Sequence, residues 1–139
     1  HNVKLSKIFQ KTSDLIKNYN PNYIAIESPF FGKNVQSMLK LGRAQGVSIA
    51  AALNSNIPIT EYSPKKIKMA ITGSGNSSKE QVAKMLKSIL NIKELPKNLD
   101  STDGLAAAVC HYFNFNSDNE KKKYSNWSSF INKNPDKIA

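Results

Sequence analysis

Three carboxylates stand where side-chain chemistry is possible. Glu27 closes the short apolar run Tyr23-Ile24-Ala25-Ile26, and Asp100 and Asp103 lie three apart at the start of a helical pattern. Residues spaced by three share a helix face. Carboxylates that converge from strand and helix ends can hold hard divalent cations such as magnesium. A pair of such ions can activate water and stabilise the departing oxygen in phosphodiester hydrolysis. Asp also suits helix N-termini for capping and dipole reasons alone, and a strand-end Glu can simply face solvent. Just beyond Glu27, Phe30 and Phe31 precede Gly32 and Lys33. Aromatics among lysines can stack on unpaired bases, although paired aromatics also serve as core.

Other chemistries find less support. One Cys and two distant His, His1 and His111, make no zinc pattern. Gly73-Ser74-Gly75 lacks both the Walker lysine and the third glycine of a dinucleotide fold. His111 reads as a helix-face residue and Cys110 as a buried, inert thiol. A lone cysteine excludes an internal disulfide and suits a reducing compartment.

Charge indicates the partner. Twenty basic side chains against ten acidic ones give a net charge of +10 over 139 residues. Such a balance favours a polyanion, with nucleic acid the default. Arg43 is the sole arginine. Lysines suit phosphate contact better than forked base recognition, so sequence readout by arginine on guanine should be weak.

The elements that must position these groups follow from periodicity. Val3, Leu5, Ile8, Phe9, Thr12, Leu15, Ile16 and Tyr19 predict an amphipathic helix, stopped by Asn20-Pro21. Residues 23–26 predict a buried strand ending at Glu27. A long helix from about Asn34 to Asn54 carries many small residues between Gly42 and Leu53, which permits close approach of another backbone. Residues 57–62 predict a second strand, with Pro58 marking an edge or a start. Ser63-Pro64 opens a short helix to about Thr72. Ser77 and Ser78, each three before Glu80 and Gln81, signal a capping box. The helix that follows should bury Val82, Met85, Leu86, Ile89 and Leu90. After a connector holding Pro96, a last helix runs from about 101 to 113. Residues 114–139 read as a polar tail with Tyr124, Trp127, Phe130 and Ile131 as anchors.

Strands separated by helices predict an α/β domain with parallel pairing. The length suits one domain. No apolar run approaches the ~20 residues of a membrane span, and His1 to Tyr19 lacks the apolar block of a signal peptide. Two strands for about five helices are too few for a sheet covered on both faces. The expectation is that further strands belong N-terminal to this sequence.

These stretches, taken together, resemble the RuvC family of Holliday junction resolvases, the crossover junction endodeoxyribonucleases. The resemblance rests on Tyr23-Ile24-Ala25-Ile26-Glu27-Ser28-Pro29-Phe30-Phe31-Gly32-Lys33-Asn34 and on Leu39-Lys40-Leu41-Gly42-Arg43-Ala44-Gln45-Gly46-Val47. Glu61-Tyr62-Ser63-Pro64-Lys65-Lys66-Ile67-Lys68, the segment from Gly73 to Val82, and Asp100-Ser101-Thr102-Asp103-Gly104-Leu105-Ala106 carry it further. It spans about residues 3 to 113, in the version found in Bacteroidetes-type bacteria. It implies an RNase H-like fold, a mixed sheet flanked by helices over residues 1–113. It implies a cytoplasmic bacterial homodimer that cuts four-way DNA junctions by paired symmetric nicks, in recombination and repair. Two magnesium ions per site, replaceable by manganese, are the implied cofactor. A junction-branching motor complex, RuvA and RuvB, is the implied partner.

Residue by residue, Glu27, Asp100 and Asp103 match family catalytic carboxylates and metal ligands. Lys68 matches a basic residue tied to activity, and Lys79 one near the cleaved phosphate. Phe30 matches an aromatic at the opened junction centre, with Phe31 beside it. Lys33 and Lys40 carry over as phosphate contacts, and the Gly42–Leu53 helix as part of the dimer interface. The family's first catalytic aspartate lies in an Asp-Pro-Gly motif that does not occur here. That departure keeps one alternative open, a non-catalytic junction-binding module of the same fold. A further alternative is another RNase H-like nuclease acting on RNA or hybrids, against which the Phe30 loop argues, since an aromatic wedge suits an opened junction.

Overall fold

The computed structural model describes residues 2–29, 34–94, 99–122 and 128, with the backbone alone at 99–100 and 117–122. Helix α1 (Asn2–Tyr19) uses a narrow stripe: Ile16 is buried and Leu5, Ile8 and Thr12 are half-buried. Val3, Phe9, Leu15 and Tyr19, expected on the same face, are exposed. Asn20 ends the helix in the left-handed region at φ 43°, a conformation that Asn tolerates better than most side chains.

Strand β1 (Ile24–Glu27) pairs in parallel with β2 (Ile59–Tyr62), Ile24 opposite Ile59 and Glu27 opposite Tyr62. Glu27 is therefore the last residue of the strand itself. β2 begins after Pro58, which has no N–H to give, although its carbonyl accepts the Ile24 N–H at 2.9 Å. Between the strands runs α2 (Val35–Asn54), whose N-cap Asn34 accepts from the Ser37 N–H at 3.0 Å. Helix α2 packs on α1, where Thr12 Oγ1 meets Ser48 Oγ at 3.5 Å.

Ser63 caps α3 (Pro64–Thr72), with Pro64 at its first position. Gly73 closes that helix at φ 75°, where a side chain would be strained. Ser78 and Gln81 form a full capping box at the start of α4 (Lys79–Ile89). Only Val82 and Leu86 of α4 are buried, while Met85, Ile89 and Leu90 stay exposed, because the helix offers α3 and α5 a single stripe.

Helix α5 runs from Leu99 to Lys122, beyond the expected end near 113. Two contacts hold the first residues past that point. The Asn114 side chain donates to the Cys110 carbonyl at 2.8 Å, and Phe115 reaches the Tyr23 ring with centroids 5.0 Å apart. His111 lies on a helix face as expected, its Nδ1 2.9 Å from the Tyr62 hydroxyl. Its Nε2 is buried with no hydrogen-bond partner among the described residues. Cys110 is fully buried.

Side chains alternate across a strand, so the two-stranded sheet divides the core. Ile24 and Ile59 face α1 and α2, packing on Ile16, Ala52 and Ile57. Ala25 and Tyr62 face the other way, onto a cluster that includes Ile67, Ile71, Leu86, Ala106, Ala107 and Cys110. Ala106 and Ala107 are small enough for α5 to lie close to β1. Glu27, two residues beyond Ala25, shares that α5-facing side. No helix among the described residues is long and apolar enough to cross a membrane.

Candidate active site

Glu27 reaches the site because β1 ends there. Beyond it the ladder makes one more bond, from the Ser28 N–H to the Tyr62 carbonyl at 2.8 Å. From α2, the Gln45 side-chain amide donates to the Glu27 carbonyl at 2.8 Å, tying the strand end to the helix. Asp103 comes from the second turn of α5, on the face packed towards β1.

Glu27 and Asp103 line two grooves together. One, of about 500 Å³, is walled by Lys65, Lys68, Lys79 and Thr102. The other, of about 650 Å³, is walled by Ser28, Leu41, Gln45, Ser48 and Gly104. Lys79 Nζ lies 3.0 Å from Asp103 Oδ2. Partial burial pushes the Glu27 carboxyl above its ordinary range, and the Asp103 charge pushes it further, while Lys79 and Lys68 oppose both. Two carboxylates lining one groove, one of them penalised for being charged, form an acceptor-only set that positive charge favours. This donor set fits a hard divalent cation, which takes oxygen ligands. Glu27 and Asp103 make a pair only: the described residues contain no group of three or more His, Cys, Asp or Glu suited to a metal.

Of the residues singled out in the sequence, the structure brings Glu27, Asp103, Lys68 and Lys79 to one groove. Asp100 lies in the first turn of α5 by its backbone, and its side chain is outside the described residues. Phe30, Phe31 and Lys33 also lie outside them. Lys40 is exposed on α2 and lines neither groove.

Two groove residues had escaped the sequence reading. Lys65 lies one helical turn before Lys68, and its stem covers Gly75, where an added Cβ would come within 2.5 Å of the Lys65 Cγ. Its spacing from Lys68 was the available signal. Gln45 was visible as a long polar side chain among small residues in α2. Lys66, between Lys65 and Lys68, turns away to place Nζ 5.0 Å from the Tyr62 ring centroid.

The family model described as crossover junction endodeoxyribonuclease RuvC matches residues 1–111. A protein of that name from Christiangramia forsetii is 67% identical over 138 residues, covering 99% of this chain and 72% of the relative. Another from Cytophaga hutchinsonii is 61% identical, covering 99% of this chain and 68% of its own length. Among solved structures, Thermus thermophilus RuvC superposes with a TM-score of 0.75 at 31% identity, over 81% of this chain and 68% of that one. The same organism's RuvC in complex with a Holliday junction substrate superposes with a TM-score of 0.76 at 32% identity, over 80% of this chain and 67% of that one.

Proposed function

Because this chain belongs to the RuvC family of crossover junction endodeoxyribonucleases, we propose that it resolves four-way DNA junctions at the groove between β1 and α5. It carries the family's RNase H-like α/β fold. The observation that supports this assignment most directly is that Glu27 and Asp103 line one groove with Lys65, Lys68 and Lys79. A phosphodiester backbone needs cationic walls, and its hydrolysis needs a carboxylate site for divalent cations.

Glu27 and Asp103, with Asp100 from the preceding helical turn, are the residues that would hold the metal. The family requires a divalent cation; magnesium, with manganese as substitute and two ions per site, is our reading. Bound there, a divalent cation would supply Lewis-acid stabilisation for phosphodiester hydrolysis. The protein supplies the rest. Lys68 offsets charge as it accumulates on the scissile phosphate. Lys65 and Lys79 hold the strand in the groove. Gln45 fixes the Glu27 backbone so that its carboxylate keeps its place. Phe30 and Phe31 act on bases at the junction centre, and Lys33 and Lys40 bind phosphates further out.

Paired symmetric nicks require two sites related by a two-fold axis, which a homodimer provides. Helix α2 supports that arrangement. Added Cβ atoms at Gly42 and Gly46 would meet nothing within 4 Å, and Leu39 and Leu53 are exposed on the same helix. A second copy can approach closely there. The reaction belongs to the bacterial cytoplasm, beside the junction-branching motor formed by RuvA and RuvB.

The test is cleavage of an end-labelled four-way junction with magnesium, with chelator, and beside a linear duplex. Paired nicks on the junction alone, abolished by chelator and by Glu27→Gln, are expected. Tight junction binding with no metal-dependent cutting would replace the nuclease with a junction-binding module. Preferential cutting of a hybrid duplex would point to a different RNase H-like specificity.

A further inference from the structure

Lys79 occupies an odd place. It is the first residue of α4, directly after the N-cap Ser78. A helix N-terminus carries partial positive charge and disfavours cations. Nothing in the needs of α4 asks for a lysine there. Its ammonium instead bridges the space between α4 and α5 to reach Asp103 Oδ2 at 3.0 Å. The bridge is largely solvent-exposed, with 60% of the Lys79 side chain and 39% of the Asp103 side chain accessible. An exposed pair of this kind contributes little to stability, so its value lies in what it does to the groove. There the ammonium offsets the repulsion between Glu27 and Asp103.

We propose that Lys79 is an internal stand-in cation: it neutralises Asp103 while the groove is empty, and it is displaced towards the DNA phosphate when a divalent ion takes the carboxylates. This rests on the reading of the groove as a metal-dependent nuclease site. The displacement has a direction. Once Asp103 is occupied by a divalent cation, Lys79 is repelled by that ion and by the α4 N-terminus alike. The four-carbon stem can then swing the ammonium away from Asp103, within the groove that Lys79 walls together with Lys65 and Lys68, towards a phosphate lying there. Metal and DNA thereby assist each other, since the ion frees a phosphate ligand and a phosphate draws the competitor off the metal site. Such coupling is reciprocal by thermodynamic necessity.

Lysine footprinting on the full chain without DNA tests this. A small acylating reagent is applied with and without manganese, and modification is read per lysine by mass spectrometry. Lys79 should react about fivefold faster with manganese, the equivalent of losing one exposed ion pair worth about 1 kcal/mol. Lys65 and Lys68 should change much less. Asp103→Asn should make Lys79 reactive without metal and insensitive to it. Manganese affinity, read from the spin-resonance signal of the free ion, supplies a second measure. Lys79→Gln should bind manganese about fivefold more tightly, by the same ion-pair estimate, and Lys68→Gln should have a smaller effect. Manganese binding equally tight in wild type and Lys79→Gln, or Lys79 reactivity unaffected by metal, would overturn the stand-in role and leave the nuclease reading intact. No manganese binding by any variant would overturn the metal-site reading and the stand-in with it.

Discussion

The side-chain amide of Gln45 donates a 2.8 Å hydrogen bond to the main-chain carbonyl of Glu27. The bond joins the long helix α2 to the last residue of β1, so the position of a candidate catalytic carboxylate depends on a neutral amide from another element. Gln45→Ala removes that tie. A lost hydrogen bond of this kind costs about 0.5–1.5 kcal/mol of stability. Cleavage should fall more than stability suggests, by about tenfold to a hundredfold, because a displacement near 1 Å misaligns reacting groups. Junction affinity should hardly change, since the lysines remain. Single-turnover cleavage and gel-shift titration on the same variant check both halves.

Glu27→Gln separates catalysis from stability. The carboxyl is raised above its ordinary value, first by burial and then by Asp103. For an acid so raised, the stabilising contribution is complete below the unfolded-state value and is lost as pH climbs through the folded-state value. In metal-free protein, Glu27→Gln should therefore be more stable than wild type above about pH 4.5, the ordinary value for Glu. The advantage should vanish in more acid solution. Because Glu27 is only half-buried, it should stay below about 1 kcal/mol. Divalent metal should narrow it, since the ion favours the charged form. Cleavage should fall by a factor on the order of 10²–10³, as when a charge-stabilising group is removed. Thermal melts from pH 4 to 8, with and without magnesium, test this expectation.

The contrast between Glu27 and Asp103 shows what was legible in the residues. Glu27 stood out locally, as a charge at the end of an apolar strand. The caps at Asn34, Ser63 and Ser78 were equally local, and all three form, Ser78 with its expected partner Gln81, whereas Ser77 bonds Thr72 across the loop. That Asp103 shares a groove with Glu27 is a tertiary fact, set by Ala106 and Ala107 letting α5 approach β1; residue type and spacing offered their convergence beside plain helix capping, and the family resemblance chose between the two. Periodicity ended α5 near 113 because the residues just beyond are held by single contacts and not by an apolar stripe, Asn114 to the Cys110 carbonyl and Phe115 to Tyr23. It overcounted α4 because Met85 and Ile89 fit the helical pattern yet meet no neighbouring layer. Lys65 was one lysine among many until the fold turned it towards the groove and Lys66 away from it.

Ser78→Ala tests whether a cap can matter to a site. Ser78 accepts the Gln81 N–H at 3.2 Å, and Gln81 returns the bond to the Ser78 N–H at 2.8 Å. Losing the cap should cost about 1 kcal/mol, or roughly 3–5 °C in Tm for a chain of this size. The Ser78 hydroxyl also holds the fully exposed Glu80 carboxyl below its ordinary value. A group so lowered contributes above its unfolded-state value and loses that contribution as pH falls through its folded-state value. The gap between Ser78→Ala and wild type should thus shrink in acid. Fraying here loosens Lys79, the next residue, so junction affinity should weaken slightly as well. Melts at pH 3.5 and pH 7, with a binding titration at pH 7, check the three effects.

The three lysines of α3, Lys65, Lys66 and Lys68, should respond differently to salt. Each lysine that neutralises a phosphate releases counterions on binding, and its removal should lower the slope of log affinity against log salt by about one. Lys65 and Lys68 wall the groove beside Glu27 and Asp103, so Lys65→Gln and Lys68→Gln should each lower that slope. Lys66 holds its ammonium over the Tyr62 ring instead. Lys66→Gln should leave the slope nearly unchanged and cost about 0.5–1 kcal/mol of stability through the lost cation–π contact. All three variants remove one positive charge, so a uniform electrostatic field would predict three equal slopes. Equal slopes would place the DNA over the whole basic surface, whereas two lowered slopes and one unchanged would place it in the groove. Junction titrations between 50 and 200 mM salt, the range over which phosphate contacts dominate affinity, distinguish the two.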